Sequence, residues 1–398
     1  MEWKEVRLGD VCTRVCSGGT PKSTNLSYYG GKIPWLNTKE IDFNRIYSTE
    51  KTITDSGLNN SSAKWIAPNT VTVAMYGATA GKSCIVKVPM TTNQACCNLT
   101  INDEVADYEF VYYTLKNDYT TLASLANGGA QQNLNAQIIK DYVLKMPSLA
   151  DQRRIASILS SLDRKIELNN KINADLEEMA QAIFKNWFVD FEPFKDSKFV
   201  DSELGMIPEG WKVGTLGDIT KNKSAKVKER NDVKVLSPVT TGELVLSEEY
   251  FTKQVFSSSI AKYKIVNKGD FAYNPARVNI GSLGRNEFDF DGCVSPVYVV
   301  FSVLDGYENY FDLFRKTDFF KDSVASLAIG GVRQSLSYDD LSSIEVIIPS
   351  ENAVEEFNNL YNQMKKTIKA NKLENSRLSL LRDTLLPRLM SGEMEVPE

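Results

Sequence analysis

The segment DQRRIASILSSLDRKIELNNKINADLEEMAQAIFKNW, residues 151–187, carries an apolar stripe that returns every seven residues. Ile155, Leu162, Asn169, Leu176 and Ile183 form one seam line, and Ile158, Leu159, Ile166, Ile172 and Met179 fill the turns between them. A seven-residue repeat held over this length predicts a helix that packs along another helix. The partner is in the same chain. Phe357, Met364, Asn371, Leu378 and Leu385 repeat the stripe, with Phe357, Asn371 and Leu385 each 202 residues after Ile155, Asn169 and Ile183.

The polar interruption is copied along with the stripe. A buried seam asparagine costs stability unless a second polar group meets its amide, so Asn169 and Asn371 are expected to pair and set the register. The alternative is that each faces solvent at a frayed seam. Both asparagines are third of five, so parallel and antiparallel packing would each align them, and connectivity decides. A helix of this length spans about 55 Å at 1.5 Å per residue, a distance that a short linker and one domain bridge if the helices run oppositely.

The repeat extends outside the helices. Trp3-Lys4 and Leu8-Gly9-Asp10 return as Trp211-Lys212 and Leu216-Gly217-Asp218, and the run from Gly128 to Ser148 matches Gly330 to Ser350 without a gap. The chain reads as two copies of one unit, a globular domain followed by a long helix. Between their shared ends the globular domains differ in almost every residue. Each predicts mixed α and β structure, with strands at 71–76, 83–88, 297–301 and 344–348 and aromatic helical patches at 108–115 and 310–314. Pro147 and Pro349 mark the helix starts, and 188–210, with Pro193, Pro208 and Gly210, reads as an irregular linker.

Composition narrows the chemistry. The 398 residues are 42% apolar and 24% charged, a globular balance with room for two or three domains. No run approaches the roughly 18 to 20 apolar residues of a membrane span, so a cytoplasmic protein is expected. The six cysteines lack C-x-x-C spacing and there is no histidine, so they read as free thiols rather than zinc ligands. The missing histidine also removes Ser-His-Asp and Cys-His catalysis. A net charge of −5 argues against a chain wrapped in nucleic acid, and leaves DNA contact to local basic patches.

The order of motifs resembles the specificity subunit of type I restriction-modification systems. The resemblance rests on Ser202-Glu203-Leu204-Gly205-Met206-Ile207-Pro208-Glu209-Gly210-Trp211, on Asp151 through Leu159, on Leu385-Leu386-Pro387-Arg388-Leu389, and on Ser17-Gly18-Gly19-Thr20-Pro21-Lys22 with Ile33-Pro34-Trp35-Leu36-Asn37. It covers the whole chain. It implies an α+β protein in which two mixed α/β target-recognition domains are joined by two long antiparallel coiled-coil helices with a pseudo-two-fold internal repeat. The expected parts are recognition domain 1 at 1–148, a central helix at 149–190, a linker at 191–210, recognition domain 2 at 211–350 and a distal helix at 351–390. It further implies a non-catalytic subunit that reads a bipartite, asymmetric target in double-stranded DNA, one half per domain. Two adenine-methyltransferase subunits would dock on the helices, and restriction-translocase subunits are a further optional partner. S-adenosylmethionine, ATP and magnesium would belong to those partners and not to this chain, with no membrane involved. The competing readings are a stand-alone DNA-binding regulator and a methyltransferase or nuclease acting alone.

Two motifs point elsewhere on first sight. Gly77-Ala78-Thr79-Ala80-Gly81-Lys82-Ser83 approximates a P-loop but has three residues between its glycines where that motif needs four. It reads either as a close approach to DNA backbone by Tyr76, Thr79 and Lys82, or as a tight turn between strands. Asn274-Pro275-Ala276 approximates an adenine-methyltransferase tetrapeptide without its second proline and aromatic residue.

For DNA contact, the second domain offers the basic run Lys221, Lys223, Lys226, Lys228, Arg230 and Lys234, suited to phosphates. Arg277, Asn279, Arg285, Arg333 and Gln334 suit base edges, since Arg pairs with guanine and Asn or Gln with adenine. In the first domain the candidates are Thr20, Lys22, Tyr28, Tyr29, Asn37, Lys39, Gln131 and Gln132.

Overall fold

The stripe forms the two helices it predicts. In a computed structural model that describes residues 2–125, 133–327 and 335–396, a central helix spans Leu149–Phe188 and a distal helix Glu351–Met390, 40 residues each. Each starts behind a proline and a serine. The Ser148 hydroxyl accepts the Asp151 N–H at 3.2 Å, and the Ser350 hydroxyl accepts that of Ala353 at 3.4 Å, which caps donors that have no partner inside a helix.

The chain divides into two compact units, Met1–Asn170 with Asn371–Glu398, and Lys171–Ala370. In the first, Ile155, Ile158 and Leu159 share a core with Leu385, Leu386 and Leu389. Further along, Arg382 donates to Asp163 at 2.7 Å and Asn169 to Glu374 at 2.7 Å. Positions rise on one helix as they fall on the other, so these helix halves are antiparallel. In the second unit the helix halves meet through aromatic rings. Phe357 lies 5.0 Å from Phe188 and 6.2 Å from Phe184, centroid to centroid, with Trp187, Trp211 and Tyr310 in the same core. Burial of several aromatic side chains makes this the largest apolar anchor of the unit.

Both units are built to one plan. The first has a sheet in the order Cys12–Ser17, Cys96–Ile101, Val71–Ala74, Ser83–Val86, Arg45–Ile46, and the second has Thr220–Lys223, Val299–Val303, Phe271–Tyr273, Leu283–Arg285. A second sheet runs Thr52–Ile53, Tyr29–Leu36, Met90–Thr92, Trp65–Ile66 in the first unit and Leu244–Leu246, Lys234–Pro238, Gly292–Val294, Lys264–Val266 in the other. In both, the middle pair is parallel and the outer pairs antiparallel. A short ribbon closes each domain, Lys4–Arg7 on Val143–Met146 and Lys212–Thr215 on Glu345–Ile348. The repeated Leu-Gly-Asp motif has a local cause: the Leu8 N–H donates to the Tyr142 carbonyl at 2.8 Å, and Leu216 to Ile344 at 2.9 Å. Within these sheets, only the strand Arg45–Ile46 lacks a counterpart among the described residues.

Three expectations change. Asn169 is fully buried, but its amide donates to Glu374 and Asn375 rather than meeting Asn371, because the packing places the next turn of the distal helix opposite it. Met179 is 51% exposed, and Ala180 takes the buried position beside it, as bulky Phe184 and Phe188 rotate the apolar face. The linker is partly ordered: Phe199–Val200 pairs with Ile207–Pro208, and Phe191 and Phe194 pack on Trp211 at 5.5 and 5.0 Å.

Candidate nucleic-acid interface

Strand directions decide which loops meet. Cys12–Ser17 and Val71–Ala74 are both antiparallel to Cys96–Ile101, so they run the same way and finish at the same end of the sheet. Ser17 lies opposite Cys97, and Ala74 opposite Cys96. The chain after Ser17, the turn at 75–82 and the approach to Cys96 therefore leave one edge together. Backbone bonds fasten them: Met75 N–H to the Ala95 carbonyl at 2.8 Å, Gly19 N–H to Thr92 at 2.9 Å, and Leu134 N–H to Met75 at 3.1 Å.

The two motifs near this edge explain each other. A Cβ on Gly18 would lie 2.1 Å from the Thr92 carbonyl oxygen and one on Gly19 2.1 Å from the Ala63 nitrogen, so only glycine fits. Trp35 Nε1 donates to the Gly19 carbonyl at 2.9 Å, the Tyr29 hydroxyl to Pro21 at 2.6 Å, and the Asn93 amide to Asn37 Oδ1 at 2.9 Å. Ser-Gly-Gly-Thr-Pro-Lys and Ile-Pro-Trp-Leu-Asn are thus a clamp between the two sheets. Tyr29 and Asn37 work within that clamp. Thr79 donates to the Thr38 carbonyl at 2.9 Å, Lys82 pairs with Asp42, and Lys39 with Glu50. The hydrogen bond and charge of Glu50 hold the Lys39 ammonium above its ordinary pKa. Thr20, Lys22, Tyr28 and Tyr76 have no side-chain hydrogen bond or ion pair among the described residues, and Thr20, Lys22 and Tyr76 are exposed. Gln94, exposed in the segment entering Cys96, joins them; no motif marks it, because only the sheet brings it there.

The second domain repeats the edge with different residues. Lys223 lies opposite Val300, and Tyr273 opposite Val299, so the loop after Lys223, the turn at 274–282 and the approach to Val299 again emerge together. Leu336 N–H donates to the Pro275 carbonyl at 3.1 Å, the counterpart of the bond from Leu134. Both motifs that pointed elsewhere now have one place. Gly77–Thr79 and Val278–Ile280 are 3-10 turns in equivalent hairpins, one opening the P-loop-like run and one following Asn274-Pro275-Ala276. Gly281 ends the second turn at φ +94°, where an L side chain is strained and a Cβ would meet the Thr240 carbonyl at 2.7 Å.

Arg277 and Asn279 stand exposed on this turn with no side-chain partner among the described residues. Arg277 lines a cleft of about 310 Å³ with Ser237, Tyr250, Asn274 and Tyr298. Asn279 lines one of about 410 Å³ with Thr240, Thr241, Lys316 and Lys321. The last four were not marked by any motif, since they come from three separate elements. Lys221, Lys226 and Lys228 are exposed. The other cations serve the domain: Lys223 bonds the buried Asp270 at 2.8 Å, Arg230 pairs with Asp232 and Asp291 at 2.6 and 3.0 Å, and Lys234 lies 5.2 Å from the Phe290 ring centroid. Arg285 donates to Asn309 at 3.0 Å and lies over Phe271. Gln131, Gln132, Arg333 and Gln334 lie outside the described residues.

Burial pushes the Cys12 and Cys97 thiols up to about 12 and Cys293 up to about 11. No disulfide forms among the six cysteines, and no cluster of three or more metal-capable side chains occurs among the described residues. Among the described residues, no helix is long and apolar enough to cross a membrane.

Residues 1–178 match the family described as type I restriction modification DNA specificity domain. Over its full length the chain is 29% identical to the type I restriction enzyme MjaIX specificity subunit of Methanocaldococcus jannaschii, covering 94% of that protein. It is 23% identical to the HindI specificity subunit of Haemophilus influenzae over 99% of this chain and 100% of the relative. The crystal structure of a type I restriction-modification S subunit from M. genitalium shares the fold, with a TM-score of 0.61 at 17% identity over 98% of this chain and 96% of that one.

Proposed function

We propose that the chain, similar throughout to type I restriction-modification specificity subunits, is one of them and reads DNA for a methyltransferase through the sheet edge found in each domain. One observation carries the reading. The same hairpin turn, the same edge-strand loop and the same backbone tether recur in both domains, while the side chains on them differ. A constant frame with variable tips suits two readers of two different half-sites, as symmetric DNA-binding dimers present equivalent elements to separated half-sites. The exposed lysines would meet phosphates, which position a protein on DNA, and Arg277 and Asn279 would reach base edges.

The chain itself is non-catalytic in this reading. Methyl transfer, with S-adenosylmethionine, and any ATP- and magnesium-dependent cleavage belong to partner subunits. Leu380 is 71% exposed, Leu373 54% and Leu381 47%, all on the distal helix, and such apolar exposure on a helix suits docking of a methyltransferase subunit.

The test is to co-express this chain with its cognate adenine methyltransferase in a methylation-free host and map modified adenines by single-molecule sequencing. A split, asymmetric motif with one modified adenine in each half supports the proposal. A continuous motif would break the two-reader scheme. No modification by an assembled complex would favour a DNA-binding regulator.

A further inference from the structure

At two matched positions the long helices present opposite charge to the domains they carry, although Arg164 of the central helix also lies 3.6 Å from Glu109 of the first domain. Lys365 and Lys369 stand 202 residues after Asp163 and Glu167, at the same positions of the repeated stripe. In the first unit the two acids face Arg45, whose guanidinium lies 3.0 Å from Glu167 and 3.7 Å from Asp163 and also reaches Glu109 at 3.2 Å. The Arg45 side chain is 3% exposed. In the second unit Lys365 reaches Glu287 at 2.6 Å and Lys369 reaches Asp289 at 3.1 Å. Helix acid on domain base has become helix base on domain acid.

The domain side is inverted at a matched position as well. Ile85 pairs with Val71 and Arg285 with Phe271, so Lys87 and Glu287 each stand two residues beyond equivalent points of equivalent strands. Lys87 is half-buried beside Tyr108, with Glu109 and Glu167 among the charges acting on it. Arg45 itself comes from the strand that has no counterpart in the second domain. Both faces of the contact therefore changed sign together, as an interface must if neither half is to meet a like charge.

We infer that the charge at these two helix positions is an address that seats each recognition domain on its own helix. A domain placed on the other helix meets its own sign: Arg45 and Lys87 would face Lys365 and Lys369, and Glu287 and Asp289 would face Asp163 and Glu167. The consequence is that the two domains are not interchangeable unless the helix positions travel with them. This goes beyond DNA reading and holds whether or not the sheet edges are the reading surface.

The experiment uses the full chain in four forms: Lys365→Asp with Lys369→Glu, Glu287→Lys with Asp289→Lys, all four changes together, and Lys365→Met with Lys369→Met. Amide hydrogen exchange over 283–294 reports how firmly the second domain is seated. Each one-sided reversal should speed exchange there several-fold at low salt, the four-fold change should return it most of the way to the wild-type rate, short of it because Asp289→Lys also gives up the 2.7 Å pair with Lys268, and the methionine pair should fall between. Since exposed pairs are screened, the effect of the one-sided reversals should shrink as salt rises. Unchanged exchange in both one-sided variants would overturn the address, and so would a four-fold variant no better than the worse of the two. Methionine variants that exchange as slowly as the wild type would overturn it too, since methionine keeps an unbranched apolar stem and removes only the charge. If a one-sided variant does not fold, the four-fold variant still decides, since only complementary charge restores its fold.

Discussion

Asn169 donates one amide hydrogen to Glu374 at 2.7 Å and the other to Asn375 at 2.9 Å, while its own carbonyl, buried with it, accepts no hydrogen bond in the structure. Asn375 in turn donates to Asn170 at 2.8 Å, so a small amide ladder crosses the helix pair. An unpaired buried carbonyl costs about 1 to 3 kcal/mol, comparable to what the two bonds contribute. Asn169→Leu should therefore raise thermal stability by about 1 kcal/mol and loosen helix register. Asn169→Asp should lower the melting temperature at neutral pH, since it sets a carboxylate against Glu374, and recover as the pH falls toward 4. Thermal melts of both variants check this; a lower melting temperature for the leucine variant would mean that the two bonds outweigh the orphaned carbonyl.

Arg277→Ala should relax base preference in one half-site by about 1 to 3 kcal/mol and leave the other unchanged, if Arg277 makes a bidentate base contact. Lys228→Ala should weaken binding to all sequences alike and reduce the salt slope by about 1. Fluorescence anisotropy of the assembled complex on matched and mismatched duplexes separates the two. Equal loss at every sequence for Arg277→Ala would reassign it to phosphate.

Asp312 sets an acid limit. Burial would raise its pKa, but Arg315, bonded at 2.7 Å, together with Lys316 and Lys365, brings it down to about 2 from the ordinary 3.8. A carboxylate depressed in the folded state stabilises above its unfolded value and loses that contribution as pH falls from about 4 to about 2. The loss should amount to about 2 kcal/mol, and Asp312→Asn should flatten the acid limb of stability against pH in that window. Denaturant melts at pH 6, 4 and 3 would show it. An unchanged limb in the variant would place the acid sensitivity elsewhere.

Gly19→Ala should destabilise the first domain by more than about 2 kcal/mol, because its methyl group would meet backbone at 2.1 Å and displace the carbonyl that Trp35 holds. Lys22→Ala, three residues on and exposed, should leave the melting temperature unchanged while weakening DNA binding. A stable Gly19→Ala protein would contradict the clamp.

Legibility followed periodicity. The helices were readable because 202-residue self-similarity and a seven-residue stripe are local, repeated signals. The strand runs at 71–76 and 83–88 were readable from the sequence, and both came out two residues shorter, ending at Ala74, where the hairpin turn begins, and at Val86. The partner of Asn169 was not readable, because a shift of one helix along its axis by about a single turn exchanges Asn371 for Glu374 and Asn375 and leaves the stripe facing its partner. The same limit applies to the interface. Lys82, Lys223 and Arg230 look like free cations in sequence, yet Asp42, Asp270 and Asp232 lie against them, and those acids are 40, 47 and 2 residues away. Thr20 and Lys22 were found because they belong to a motif; Gln94, Lys316 and Lys321 belong to none.

The bonds from Leu134 to Met75 and from Leu336 to Pro275 run from main chain to main chain, and a peptide group is the same whatever residue carries it. The fastening is therefore indifferent to spelling. Mutations that rewrite the tips leave the fastening in place, so a new target can arise by drift in a few side chains while the scaffold under them stays as stable as before.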